Sequence, residues 1–237
     1  MKGDTPTSAE LWPWLAKALE TWDDQARGRV LMPTPIEVEP WECLDKKGEW
    51  GFARILEKMV ESLGSSIPEG LDISVDESKG LVHIDPRAIV EPNCHFIGPC
   101  YIAPEAIIRH GAYVREHSWI CWQALLGHCS EIKHSILLPK AKAPHFNYLG
   151  DSVVGSDANL GAGVILSNLR NDGKQVILKV GESKIPSGLR KFGSLVGDGV
   201  QIGCNSVTNP GTILGTNCMV YPTTSLSGVH NSDTVLR

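Results

Sequence analysis

From residue 84 to residue 138, large apolar side chains return every six positions: Ile84, Val90, Phe96, Ile102, Ile108, Val114, Ile120, Leu126, Ile132 and Leu138. Four residues after each of the first eight stands a small residue: Ala88, Cys94, Cys100, Ala106, Ala112, Ser118, Ala124 and Ser130. With Leu, Ile, Val and Phe at roughly a quarter of the chain, ten such hits at one fixed phase have odds of about one in a million. A period of six matches neither the turn of an amphipathic helix nor the alternation of a long strand. It matches a coil of short strands in which the aliphatic residues fill a shaft and the small residues sit where the chain turns. The repeat resumes at Val154, Leu160 and Leu166, and again at Val196, Ile202, Thr208, Leu214, Val220 and Leu226, with Thr208 as the weak hexad.

The first 80 residues follow a different pattern. Thr7-Ser-Ala-Glu10 reads as a capping box opening a helix to about residue 26, with a kink at Pro13. Pro33, Pro35 and Pro40 enforce an extended linker. Phe52, Ile55, Leu56, Met59, Val60 and Leu63 have helical spacing, and Gly64 suits a C-cap. The expected organisation is a helical arm or cap with its linker over residues 1–80, then a repeat domain over 81–237. Excursions from the coil are expected near 139–148 and 169–193.

Composition narrows the classes. The net charge of −5 argues against nucleic acid as a partner. The N-terminus lacks a signal peptide's apolar run and no stretch is apolar enough to span a membrane, so a cytoplasmic protein is expected. The seven cysteines include no C-x-x-C and fit reduced thiols. Cys94 and Cys100, only six apart, fall at different corners of the coil and serve as small buried residues. No metal site is expected at Cys94, His95, Cys100, His128, Cys129 or His134.

Arg115 and Lys133 are eighteen residues apart and follow Val114 and Ile132. If three hexads make one coil, the two cations lie on one face of neighbouring strands, about 5 Å apart. Like charges so placed repel. Register alone leaves two explanations open: a bound anion such as a phosphate, or solvated side chains splayed apart with Glu116 or Glu131 compensating.

Directly after these hexads come Lys140, Lys142 and His145, and then His145-Phe-Asn-Tyr-Leu-Gly-Asp151, Asn159-Leu-Gly-Ala-Gly163 and Asn168. This run resembles the acetyltransferase half of the bifunctional glucosamine-1-phosphate acetyltransferase/N-acetylglucosamine-1-phosphate uridyltransferase family, most clearly over residues 111–174. The resemblance implies a left-handed parallel β-helix with three hexads per coil, and a homotrimer with active sites between subunits. It implies that His145 is the general base and that Asn168 lies near the reacting amine. Arg115, Lys133, Tyr148 and Asn159 would hold the sugar phosphate, with Lys174 contributing to the phosphate site. Ala162 would contact acetyl-CoA, the cosubstrate. Spacings from Arg115 to Lys174 fit the family's without a gap.

The chain also departs from that family. Eighty residues of helix and linker stand where a nucleotide-binding pyrophosphorylase domain would be, so uridyl transfer is not expected. Leu169-Arg-Asn-Asp-Gly173 replaces the usual Tyr-Asp-Gly, and residues 175–192 interrupt the coil. Cys204 stands where a serine-type CoA contact is usual, and Arg237 is the only cation in the short tail. The implied activity is acetyl transfer from acetyl-CoA to an amino-sugar phosphate, glucosamine 1-phosphate first, with no metal needed. The competing readings are an acetyltransferase for another amino sugar or nucleotide sugar, and a non-catalytic β-helix for oligomerisation or ligand sensing.

Overall fold

The structure is a computed structural model that describes residues 5–20 and 39–237. The repeats wind into a parallel β-solenoid whose strands line up as three eight-stranded sheets. Each coil visits three faces in turn. Face I carries strands such as Tyr113–Val114, Glu131–Lys133, Tyr148–Gly150 and Ile165–Leu166. Face II carries Ser118–Ile120, Ser135–Leu137, Val153–Val154 and Ser194–Val196. Face III carries Leu125–His128, Lys142–His145, Asn159–Leu160 and Gln201–Ile202. The solenoid takes in Ile73–Asp76, paired with Cys94–Ile97, so it begins upstream of residue 81.

The aliphatic hexads meet inside as one core with the small turn residues Cys94, Cys100, Ala106, Ala112 and Ala124. At roughly 1.5–3 kcal/mol for each buried aliphatic side chain, this shaft is the main source of stability. Thr208 is fully buried in it, its hydroxyl accepting from Ser194 Oγ at 2.6 Å, which meets the cost of a polar group at a shaft position.

The six-residue register does not run unbroken to Leu138. Val114 pairs with Ile132, but Ile120 pairs with Leu137 and Ile132 with Leu149. The turns from face I to face II after Ile132 and Leu149 therefore take five residues. Leu137 fills the shaft, while Leu138 points outward into a second apolar cluster. Residues 139–148 likewise do not leave the coil: Lys142–His145 is a strand between Leu125–His128 and Asn159–Leu160. The neighbouring backbones come so close there that a Cβ on Gly127 would lie 1.7 Å from the Pro144 carbonyl oxygen, and only glycine fits. The long excursion does occur, and at the same corner that carries the short turns. Leu166 is followed on face II by Val196, with a hairpin of Ile177–Val180 and Ser183–Pro186 in between.

Face II is covered rather than exposed. The arm has helices α1 (Ser8–Leu11), α2 (Pro13–Glu20) and α3 (Phe52–Leu63). Thr7 and Glu10 close the capping box, and Gly64 ends α3 at φ 80°. The helix breaks at Pro13; its expected continuation to residue 26, and Pro33 and Pro35 of the linker, lie outside the described residues. Leu11, Trp12, Trp41, Phe52, Leu56 and Val60 pack on Tyr101, Trp119, Ile136, Leu138 and Val153, with Val176, Leu178 and Phe192 of the excursion in the same cluster. Trp12 Nε1 donates to the Val196 carbonyl at 3.0 Å.

Asp198 fixes α2 by accepting from the backbone N–H of Trp14 at 2.9 Å and of Ser156 at 2.7 Å. Burial outweighs these bonds and raises its carboxyl from 3.8 to about 6. A folded pKa above the unfolded one gives stability that is full below pH 3.8 and lost as the pH rises through 6. Asp198→Asn lacks this dependence. The stability gap between wild type and Asp198→Asn should therefore shift toward wild type by roughly 2 kcal/mol between pH 7 and pH 4. Urea unfolding of both proteins at the two pH values measures it, and a pH-independent gap contradicts the assignment.

Candidate functional site

The corner from face I to face II turns through left-handed residues His117 (φ 61°), His134 (φ 43°) and Asp151 (φ 45°). Because the coils here are seventeen residues long, His134, Asp151 and Asn168 come into one column. His134 Nδ1 meets Asp151 Oδ1 at 2.8 Å, and Asn168 Nδ2 donates to Asp151 Oδ2 at 2.5 Å. The His134 and Asp151 side chains are 1% and 2% exposed. Burial pushes His134 down to about 4 against the opposing pull of Asp151. Burial would raise Asp151, but the His134 bond and charge and the Asn168 bond outweigh it and leave the carboxyl below its ordinary value. Near neutral pH the pair is thus a neutral imidazole donating Nδ1–H to a carboxylate.

Asn168 reaches from this column across Gly150 toward Tyr148. A Cβ at Gly150 would lie 2.6 Å from Asn168 Nδ2 and 2.7 Å from the Tyr148 hydroxyl. The missing side chain is what lets the two groups cross there. Burial, then Glu131 and Asp151, raise the Tyr148 phenol above its usual range. Lys133 pairs in register with Gly150, and the Arg115 backbone N–H donates to Ile132 on the neighbouring strand. Arg115, Lys133, Tyr148 and Asn168 thus share the outer side of face I and its corner with face II.

The two cations are neighbours, as their spacing predicts, and both carry carboxylate partners. Arg115 Nη1 lies 2.7 Å from Glu131 and its Nε 3.8 Å from Glu116, while Lys133 Nζ lies 3.3 Å from the other Glu116 oxygen. Burial would raise Glu116, but its backbone hydrogen bond and Lys133 bring it below its ordinary value. The compensation that register left open is present, so the cation pair alone does not require a bound anion.

The remaining candidates fall elsewhere. His145 is exposed at the end of a face III strand, in register with His128; its N–H donates to Asn147 Oδ1 at 3.0 Å and its carbonyl accepts from Gly163. Asn159 lies on face III beside Lys142. Ala162 and Cys204 follow paired strands in adjacent coils, and Asn205 N–H donates to the Ala162 carbonyl. Lys174 is exposed on the excursion, its N–H bonded to Asp172 at 3.1 Å. Arg237 lies over the Tyr221 ring, 4.9 Å from its centre. Among the described residues, no group of three or more His, Cys, Asp or Glu is arranged to hold a metal ion.

Asp151 and His134 were missed as site residues because a strict six-residue register puts no special weight on the corner between them. The seventeen-residue spacing from His134 through Asp151 to Asn168 is the signal that would have found them.

No protein-family model matches the chain. Over 184 residues it is 32% identical to a bifunctional sugar-1-phosphate nucleotidylyltransferase/acetyltransferase of Sulfurisphaera tokodaii, covering 78% of this chain and 44% of that protein. The chain is a hexapeptide-repeat β-solenoid related to these bifunctional enzymes. The bifunctional protein GlmU of Methanocaldococcus jannaschii is 33% identical over 181 residues, covering 76% of this chain and 42% of that protein. The chain therefore spans less than half the length of either relative. Among solved structures, the polySia-specific acetyltransferase NeuO matches with a TM-score of 0.40 and 14% identity, covering 70% of this chain and 77% of that one. Among the described residues, no helix is long and apolar enough to cross a membrane.

Proposed function

We propose that the chain is an acetyl-CoA-dependent N-acetyltransferase acting on an amino-sugar 1-phosphate, with glucosamine 1-phosphate as the first candidate. The observation that carries this reading is that Lys133, Tyr148 and Asn168 meet around Gly150, with Arg115 on the next strand beyond Lys133, in a chain with a relative named a bifunctional sugar-1-phosphate nucleotidylyltransferase/acetyltransferase. In this reading the phosphate exchanges with the Glu116 and Glu131 carboxylates for Arg115 and Lys133; Arg grips it as a fork and Lys as a point charge.

His145 takes a proton from the acceptor amine as its nitrogen adds to the thioester carbonyl. The carbon–sulfur bond then breaks, CoA leaves as the thiol and an amide remains. Asn168, held by Asp151, lies near the amine, and fixing the sugar against the thioester supplies much of the rate. Ala162 and Cys204 line the acetyl-CoA side, Asn159 and Lys174 complete the acceptor side, and no step calls for a metal or a covalent enzyme intermediate. His145 and Asn159 on face III are separated by a prism edge from Asn168 and the cations. This separation favours a homotrimer in which faces of neighbouring subunits meet. Uridyl transfer is not part of this reading.

One observation favours a larger acceptor. A groove of about 560 Å³ runs past Ser167, in continuation of the Lys133–Gly150 column, between Asn209 and Ser227 on one side and Arg170, Ile177 and Lys179 of the excursion on the other. It has room for a nucleotide sugar. Thiol release from acetyl-CoA, followed against glucosamine 1-phosphate, other amino-sugar phosphates and amino nucleotide sugars, separates the cases. Release with glucosamine 1-phosphate supports the first reading, and release with nucleotide sugars alone supports the second. Release with none of them favours a binding or oligomerisation module.

A further inference from the structure

Two side chains of α3 reach the corner that carries Asn168. The Phe52 ring stacks on His134 with centroids 4.6 Å apart and planes 17° apart. Glu57 Oε1 lies 2.7 Å from Nε2 of His117, whose ring meets that of His134 edge-on, with centroids 5.9 Å apart and planes at 89°. Phe52 is 1% exposed, so the stacking contact belongs to the folded core.

The backbone of the column is held without the arm. His134 N–H donates to the Glu116 carbonyl, Asp151 N–H to that of Lys133 and Phe192 N–H to that of Asn168, each at 3.0 Å. The side chains are oriented by a second set of bonds. Asp151 presents Oδ1 to His134 and Oδ2 to Asn168. A carboxylate only accepts, so Asn168 turns its NH2 toward Asp151 and its carbonyl Oδ1 to the opposite edge of the amide. The direction of that carbonyl is thus set by Asp151, and the direction of the Asp151 carboxylate by its two donors.

The imidazole is the end of this chain that the solenoid does not fix. Among the described residues, His134 Nε2 makes no hydrogen bond. A single bond at Nδ1 leaves the ring free to tip about it, and the flat face of Phe52 laid against it sets its plane. Filling space beside His134 would need only apolar volume; a ring within 17° of parallel supplies an orientation as well.

We propose that His134 and Phe52 are positioning residues for acetyl transfer: the docked arm fixes the His134 imidazole, which through Asp151 holds the Asn168 carbonyl toward the acceptor amine. Neither residue touches substrate. What Asn168 does for the amine rests on the acetyl-transfer reading, whereas the coupling from arm to Asn168 rests on the contacts above. The arm then belongs to the working site, and a chain with a loosened arm would bind its substrates yet turn them over slowly.

The test uses the full chain and three variants. Phe52→Leu keeps apolar volume but no flat face, and His134→Leu removes the donor to Asp151. His134→Asn has an amide that can donate in place of Nδ1–H, and asparagine tolerates the left-handed backbone at φ 43°. With both substrates saturating, His134→Leu should lower kcat about 10- to 100-fold and Phe52→Leu about 3- to 10-fold, with KM for acetyl-CoA unchanged. His134→Asn should recover most of the loss. In an Asn168→Ala background, His134→Leu should lower kcat by no more than about twofold further, because the group it positions is gone. The Asn168 side-chain NH2 signals in a nitrogen-15 NMR spectrum, assigned by their absence from Asn168→Ala, give a readout without turnover. They should shift or broaden in Phe52→Leu and His134→Leu and stay near their wild-type positions in His134→Asn. If no acceptor is acetylated but these signals respond, the acetyl-transfer reading fails and the coupling stands. Unchanged NH2 signals in Phe52→Leu, wild-type kcat in His134→Leu, a loss that His134→Asn does not recover, or an equal fold-loss in the Asn168→Ala background overturns the proposal.

Discussion

His145→Ala should lower kcat for acetyl transfer by about 10²–10⁴-fold, the range for loss of a positioned general base. KM for both substrates should change little, because the imidazole is assigned to proton transfer and not to holding the phosphate or CoA. The fold has no stake in this side chain. It is exposed, and its bonds to Asn147 and Gly163 use backbone atoms that alanine keeps. The unfolding midpoint and oligomeric state of the variant should match wild type, so any loss of activity can be read as chemistry. His134 is a poor rival for the role. It is almost fully buried, its Nδ1 is tied to Asp151, and its pKa of about 4 suits a fixed donor more than a base poised near neutrality. Near-normal kcat in His145→Ala would sink the assignment of the base, whatever the acceptor proves to be.

The solenoid was legible because shaft positions tolerate little but aliphatic side chains, and a period of six survives every exposed substitution. α3 was legible for a related reason: Phe52, Leu56 and Val60 had to share one stripe to reach face II. What the period could not convey was a one-residue shortening of the turn. Leu137 and Leu138 are both apolar and both fully buried, one in the shaft and one against the arm. No pattern of apolar residues distinguishes them, because both sides of the strand are covered there.

The stretch 139–148 was misread for a different reason. Two prolines and a cluster of charges signal a loop in an ordinary sheet, yet in a solenoid each strand is short enough for Pro144 to sit near its end. Arg115 and Lys133 were found by spacing because the coil between them is a full eighteen residues. The next coils are seventeen, and that change of length hid the column of His134, Asp151 and Asn168 from the same arithmetic. Glu57 could not be seen at all: it reaches His117 through the docking of the arm, a contact between segments that no local pattern encodes.

That column is where the largest loss of stability is expected. Asp151→Ala removes the acceptor shared by His134 Nδ1–H and Asn168 Nδ2 and leaves both donors buried, with His134 Nε2 already without a hydrogen-bond partner. Leaving a buried neutral donor without an acceptor costs about 1–3 kcal/mol, and two are left here. The alanine must also hold the left-handed backbone at φ 45°, where Asp and Asn are tolerated better. Asp151→Asn separates the two contributions. Asparagine keeps the backbone preference and one acceptor oxygen, but its amide faces the second donor, so it should lose less than alanine and still fall short of wild type. The loss should couple to Phe52 as well, since the ring stacked on His134 needs that imidazole held in place. In a double-mutant cycle, Asp151→Ala and Phe52→Ala should together cost at least about 0.5 kcal/mol less than the sum of their separate effects. Urea unfolding at pH 7 measures all four proteins. An Asp151→Ala loss below about 1 kcal/mol, or strict additivity with Phe52→Ala, would mean that the corner does not act as one unit and that the arm is not keyed to the site through it.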